Sequence, residues 1–346
     1  MATLADVARR AGVSQATASR IINGSTKPVT DHLRARVLAA VEELQYVPNA
    51  HAQSLARAQR SAIGVIVHDV SDPYFAEITR GLQRVATERG RLVIICNSYR
   101  NPERELEYVE LLRAQQVAAI ILAGSGYHDV DFTRSLNSKL AVYERTGGRV
   151  TVIGRHQHAS DAVMPANESG GYLAGAELFR LGHKEVGVIA GPRMLTTTTD
   201  RLAGLRRAGR DYSRPVRRVA YADFDRDGGA EAAAALLDAS PRLTAIAALN
   251  DSMAIGALAL LRSRGIDVPG RFSVIGFDDM PIARDVTPSL TTVRLPLAEI
   301  GVRAMTLALD GGGHDGGAPD RPPRIEQIGC EIMRRESTAP APRPSA

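Results

Sequence analysis

The residues 15–23, QATASRIIN, are short-chained and polar wherever helical spacing turns them away from Ala18 and Ile21. Gln15, Ala16 and Arg20 are predicted to point outward. An arginine fork donates two hydrogen bonds to O6 and N7 of guanine, a glutamine amide pairs with adenine, and an alanine makes apolar contact with a thymine methyl. Thr17, Ser19 and Asn23 suit phosphate oxygens, which position a helix without reading sequence. This is the chemistry of base readout, and it requires rigid elements behind it.

Those elements are legible upstream and downstream. Leu4, Val7, Ala8 and Ala11 share one face of a predicted helix, and Ala8 is small enough to let a second helix approach. Gly12 supplies a turn in which positive φ is cheap, and Ser14 is placed to cap the next helix. Thr30 or Asp31 is placed to cap a third helix, with Leu33, Val37, Val41 and Leu44 on its buried side. The pattern predicts a helix-turn-helix headpiece over residues 1–47. Pro48 then interrupts. Residues 48–60, PNAHAQSLARAQR, offer a helix cap at Asn49 but only Ala52, Leu55 and Ala56 as apolar anchors. A helix this short is marginal in water, so the segment reads as a hinge helix or linker that needs a partner.

Charge distribution agrees. The net charge is +5, and the first 60 residues hold eight of the basic and four of the acidic groups. The positive excess therefore sits where phosphate would be met. Cys96 and Cys330 lie apart in apolar, strand-like runs and read as reduced thiols, consistent with a cytoplasmic protein. The opening residues lack the apolar stretch of a signal peptide, and no run is long enough to span a membrane. His68-Asp69, His156 and His158 are candidate general bases. However, no nucleophile elbow, phosphate-binding loop or paired metal ligands accompany them. No catalytic residue, metal or cofactor is expected.

From Ala62 onward, apolar strands alternate with amphipathic helices: AIGVIV, then YFAEITRGLQRVATERG, LVIIC, PERELEYVELLRAQQ and VAAIILAG, continuing to FSVIGF. Uninterrupted apolar strands between helices mean parallel sheets covered on both faces. The strands are too many for one compact sheet, so an α/β core of two doubly wound lobes is expected over residues 61–335, the second lobe starting near residue 160. Residues 311–323, GGGHDGGAPDRPP, read as a flexible loop rather than a metal site. Residues 336–346 read as a disordered tail.

LADVARRAGVSQATASRIING followed by LQYVPNAHAQSLA resembles the headpiece and hinge of the lac repressor/galactose repressor family. VSDPYFAEITRGLQRVA, LGHKEVGVIAGP, LNDSMAIGALALLRSRGIDVP and FSVIGFDDMPIARDVTPSLTTVR follow the order and spacing of the same family, so the resemblance covers nearly the whole chain. The resemblance implies a core similar to periplasmic sugar-binding proteins, with an effector between its lobes. It adds Thr3, Leu4, Ser14, Asn49, Leu55 and Ala56 to the DNA-contacting set, with Leu55 as a wedge in a central base step. For the effector it implies Tyr74 and Phe75 at a strand's carboxyl end, Phe224 as a stacking ring, and Thr197, Arg201, Asn250 and Asp278 as hydrogen-bonding groups. The purine-responsive branch carries an arginine three residues after its Gly-Pro turn. Here that position is Leu195, which favours a carbohydrate or related metabolite over a purine.

The function expected is a sequence-specific transcription regulator, of repressor type. It would act as a homodimer on a pseudo-palindromic double-stranded DNA operator under the control of a small effector, with no membrane partner. A sugar-binding transport protein would share the core but not the headpiece. An enzyme would need a catalytic constellation that the sequence does not display.

Overall fold

The computed structural model describes residues 2–22, 29–45, 62–310 and 322–342. The chain divides into two compact units, Met1–Gln59 and Arg60–Ala346.

The first unit holds α1 (Leu4–Ala11), α2 (Gln15–Ile22) and α3 (Asp31–Glu43). A capping box starts α1. The Thr3 backbone N–H donates to Asp6 Oδ2 at 2.9 Å, and the Asp6 N–H donates to Thr3 Oγ1 at 3.3 Å. This satisfies donors that a helix start leaves open. Gly12 ends α1 with φ 64°, and the third helix is tied to that turn by Arg36 Nη2 donating to Ala11 O at 2.6 Å. A Cβ on Gly12 would sit 2.6 Å from the same Nη2, so the turn and its tie both require glycine. Val7, Ala8, Ala11, Ala18, Ile21, Val37 and Ala40 form the core. Of the four residues expected on the buried side of α3, only Val37 is fully buried; Leu33, Val41 and Leu44 pack around it half-exposed. Thr30 is the cap residue of α3 by backbone geometry, but its side chain makes no capping bond. The expected hinge, 48–60, lies outside the described residues.

The second unit runs β1 (Ile63–Val67), α4 (Pro73–Glu88), β2 (Val93–Asn97), α5 (Pro102–Ala114), β3 (Ala119–Leu122), α6 (Val130–Arg145), β4 (Arg149–Ile153) and β5 (Asp161–Pro165). It continues with α7 (Asn167–Arg180), β6 (Val186–Ala190), α8 (Thr196–Asp211), β7 (Arg218–Tyr221), α9 (Arg226–Ala239), β8 (Ala245–Ala248), α10 (Asp251–Ser263), β9 (Ser273–Asp278) and β10 (Thr291–Arg294). It closes with α11 (Leu297–Asp310), β11 (Ile325–Ile328) and β12 (Glu331–Met333). The strands make two six-stranded sheets, ordered β11-β5-β4-β3-β1-β2 and β12-β10-β9-β8-β6-β7. The first is parallel throughout, and the second is parallel except for β12. The central strands β1, β3, β6, β8 and β9 are buried along their whole length, as sheets covered on both faces require.

Two expectations need correction. The second lobe does not begin near residue 160, because β5 pairs with β4 in the first sheet and the crossing follows it. The chain then returns through α11, which packs on α4, pairs β11 with β5, and crosses again to β12. Three strand-to-strand links therefore join the lobes. The tail is also not disordered from residue 336: Ser337 is fully buried and its hydroxyl donates to Val274 O at 2.6 Å. Ala339 O lies 3.1 Å from His183 Nε2, and the Ala341 N–H donates to Leu181 O at 2.8 Å. A Pro/Ala/Ser segment has too little apolar volume to fold alone, but its backbone satisfies polar groups of the second lobe. Residues 343–346 and 311–321 lie outside the described residues.

Candidate functional site

In the first unit, Gln15, Ala16 and Arg20 of α2 are exposed while Ala18 and Ile21 are buried, so the expected reading face is open. Arg20 Nε donates to Ala16 O at 3.2 Å, laying the guanidinium along the helix. The Thr17 N–H donates to Ser14 Oγ at 3.2 Å, and the two hydroxyls lie 2.9 Å apart. Ser14 and Thr17 thus hold the start of α2. Thr3 is exposed but its hydroxyl donates to Asp6 Oδ2 at 2.7 Å, which keeps the Asp6 carboxyl below its usual range. Leu4 and Ser19 are half-buried. Asn23, Asn49, Leu55 and Ala56 lie outside the described residues.

In the second unit all seven expected effector residues, Tyr74, Phe75, Thr197, Arg201, Phe224, Asn250 and Asp278, line one cleft between the lobes. They sit at the carboxyl ends of strands and the amino ends of the following helices, where open α/β sheets bind ligands. Asp72 starts α4 by accepting from the Tyr74 N–H at 3.0 Å, which sets Tyr74 and Phe75 at the mouth of β1. Phe224 follows β7; a Cβ on Gly191, at the end of β6, would collide with its ring, so the glycine is what lets the ring lie over that strand end. Asn250 caps α10 through Oδ1, accepting from the Met253 N–H at 2.8 Å, and its amide donates to Phe224 O at 3.2 Å.

Arg201 anchors the second-lobe wall. Its Nε donates to Asn167 Oδ1 at 2.9 Å, Nη1 to Leu249 O at 2.6 Å and Nη2 to Asp278 Oδ1 at 2.8 Å. Its Cζ stands 3.8 Å from the centre of the Phe277 ring. Burial pushes the Asp278 carboxyl up to about 7, with Arg201 opposing the rise. Asp278 also has φ 108°, outside the comfortable range for an L-residue.

The sequence did not single out Asp72, Arg100, Ser125 or Asn167, which line the same cleft. Arg100 carried no signal because its placement depends on two successive left-handed residues, Tyr99 (φ 52°) and Arg100 (φ 56°), after β2. His68 lines the cleft, but burial, with Arg100 nearby, lowers it to about 3, and burial lowers His156 to about 4. Both are neutral rings near pH 7: His68 stands 3.4 Å from Tyr127 Oη and His156 Nε2 lies 2.9 Å from Gly124 O. His158 is held between Asn137 and Glu144. Among the described residues no cluster of ligands suited to a metal occurs.

Contacts also join the two lobes beside the cleft. Arg155 Nη2 and Asp200 Oδ1 are 2.6 Å apart, His128 Nε2 and Thr199 Oγ1 2.8 Å, and Ser125 Oγ accepts from the Thr197 N–H at 3.0 Å. The cavity in the cleft, which stays partly open to solvent, is about 50 Å³. A single water needs about 10–15 Å³ on that scale, so the cleft has room for several waters.

A helix-turn-helix unit with an open polar reading face, followed by a two-lobed core with a polar-lined cleft, defines a ligand-responsive DNA-binding regulator. Residues 3–49 match the model of bacterial regulatory proteins of the lacI family, and residues 176–338 match that of a periplasmic binding protein-like domain. The HTH-type transcriptional regulator GalR of Escherichia coli (strain K12) is 35% identical over 320 residues, covering 89% of each chain. The HTH-type transcriptional repressor PurR of Proteus mirabilis (strain HI4320) is 34% identical over 313 residues, covering 90% of each. Among solved structures, the transcriptional regulator CelR–cellobiose complex superposes with TM-score 0.71 at 28% identity, covering 97% of this chain and 100% of that one. The lac repressor dimer bound to operator and the anti-inducer ONPF gives TM-score 0.71 at 25% identity, with 98% and 99% covered. The chain belongs to the lacI family of transcription regulators. Among the described residues no helix is long and apolar enough to cross a membrane.

Proposed function

We propose that this regulator is a cytoplasmic, non-enzymatic repressor that binds a pseudo-palindromic operator as a homodimer and releases or grips it according to a carbohydrate held between the lobes of its core. The observation that carries the reading is the convergence of Arg201, Asp278, Asn250 and Thr197 with the rings of Phe224, Tyr74 and Phe75 on one cleft. Aromatic faces suit the C–H face of a sugar ring, and the oriented polar groups suit its hydroxyls. Solved relatives with cellobiose and with ribose bound support a sugar. Leu195, buried where the purine-responsive branch carries arginine, speaks against a purine.

Coupling to DNA runs through residues 48–60 in this reading. Effector moves the lobes, alters the separation of two hinge starts, and so makes hinge pairing and Leu55 insertion depend on ligand. The test is operator binding by fluorescence anisotropy across a panel of D-galactose, D-glucose, D-ribose, cellobiose, D-glucuronate, D-glucose 6-phosphate and hypoxanthine. One or more sugars or sugar derivatives should shift operator affinity by about 5–150-fold. A response to hypoxanthine alone would overturn the carbohydrate reading, and turnover of any panel member would overturn the non-enzymatic one.

A further inference from the structure

We infer that the cleft takes an acidic carbohydrate, a sugar carrying a carboxylate or a phosphate, and that Arg100 is the residue that selects the acidic group. The inference rests on the carbohydrate reading above and narrows it.

Two guanidinium groups reach the cleft, and they are used differently. Arg201 is 2% exposed, and each of its three nitrogens donates to a fixed acceptor. Its charge is matched by Asp278 at 2.8 Å. Arg201 is therefore a built part of the second-lobe wall. Arg100, on the first-lobe wall, is 24% exposed and its Nε is buried with no hydrogen-bond partner. Its ionic contact is a long one, Nη2 to Asp72 Oδ2 at 3.5 Å. The other oxygen of Asp72, Oδ1, accepts from the Tyr74 N–H to start α4. A buried donor on a charged group left without an acceptor is costly, so such a group marks a place where a partner is missing.

The backbone points the same way. Tyr99 and Arg100 both adopt the left-handed conformation, which residues with a Cβ avoid. The turn is held in place because the Ser98 N–H donates to Val67 O at 2.9 Å, the Tyr99 N–H donates to His68 O at 2.7 Å, and Asn101 caps α5. Strain maintained by surrounding bonds is found where a side chain must be aimed. Here it aims Arg100 across the cleft toward the second lobe, with Cζ 5.7 Å from the centre of the Phe224 ring. A sugar lying against Phe224 would therefore carry its exocyclic substituent beside the guanidinium. Nearby rings do not compete for the anion as cations, since His68 and His156 are held neutral by burial. Burial raises the carboxyl of Asp72, and the Tyr74 N–H and Arg100 oppose the rise. Arginine meets a carboxylate or phosphate with charge-assisted hydrogen bonds that a neutral hydroxymethyl group does not match.

Isothermal titration of the full chain with matched probes tests this: D-galactose against D-galacturonate, and D-glucose against D-glucuronate, D-gluconate and D-glucose 6-phosphate. At least one acidic probe should bind about tenfold or more tighter than its neutral counterpart. Arg100→Gln should bring the two within about twofold, with Arg100→Lys between, because lysine keeps the charge but not the fork. The carboxylate and phosphate arms separate a sugar acid from a sugar phosphate. Neutral sugars binding as tightly as their acids in the unaltered protein, or a preference that survives Arg100→Gln and Arg100→Lys, would overturn the inference and leave the carbohydrate reading standing. No binding by any probe, neutral or acidic, would overturn the inference, and the carbohydrate reading falls with it only if cellobiose and D-ribose also leave operator affinity unchanged.

Discussion

Arg201 and Asp278 meet at 2.8 Å, each 2% exposed, one from the first turns of α8 and the other from the last residue of β9. The pair lines the ligand cleft and also ties two elements of the second lobe together. Its loss therefore has two consequences, one for binding and one for folding.

Removing one member of a buried ion pair strands the other, at about 3–5 kcal/mol. Arg201→Ala and Asp278→Ala should each lower the melting temperature of the core and abolish the effector response. Operator binding by folded protein should persist, since neither residue belongs to the Met1–Gln59 unit. Calorimetry and anisotropy on both variants check this; unchanged effector affinity in both would remove them from the binding surface.

Arg155 and Asp200 join the lobes at 2.6 Å but are 41% and 25% exposed. An exposed pair contributes about 0–1 kcal/mol, so Arg155→Ala should hardly change thermal stability. The contact exists only when the lobes are together. Its removal should raise the effector dissociation rate by a factor of about 2–5, readable by stopped-flow fluorescence or surface plasmon resonance.

Glu105 on α5 is 3% exposed, and burial pushes its carboxyl up to about 8. The unfolded chain gives up this proton near 4.5, while the folded protein holds it until about 8. Between those values the folded state binds more protons, so this group's contribution to stability is full at low pH and falls as pH rises through the window. Glu105→Gln, neutral at every pH, should flatten that fall. Urea denaturation at pH 6 and pH 8 should show the variant losing less stability over the interval than the unaltered protein. Equal losses would place Glu105 in a better-solvated setting.

Arg20 is exposed on α2 and its Nε rests on Ala16 O. If its fork reads a guanine, Arg20→Ala should cost about 1–3 kcal/mol at one operator base pair and relax specificity there. Anisotropy against a set of single-base operator variants distinguishes this from a phosphate contact, which would weaken all sequences alike and reduce the salt dependence.

The sequence by itself determined the element types, the α/β class of the core and the outward polar face of α2, which follow from short-range rules: periodicity, caps and a turn glycine. The seven cleft residues came from the resemblance to the lac repressor/galactose repressor family, carried by the order and spacing of its segments. It did not determine which strands share a sheet. Pairing β11 with β5 and crossing back to β12 are choices between distant segments, and local pattern is the same for either partner. Nor did it reveal that residues 336–342 are ordered. Their order comes from acceptors and donors supplied by His183, Val274 and Leu181, not from their own apolar content. Arg100 is the sharpest case. Nothing in NSYRNPERE distinguishes it from a solvated surface arginine. Only the left-handed turn at Tyr99–Arg100, held by backbone bonds to Val67 and His68, carries it into the cleft, and only the folded surroundings leave its Nε without an acceptor. Patterns repeated along a chain report local geometry, whereas the environment of one side chain is set by segments far away in sequence.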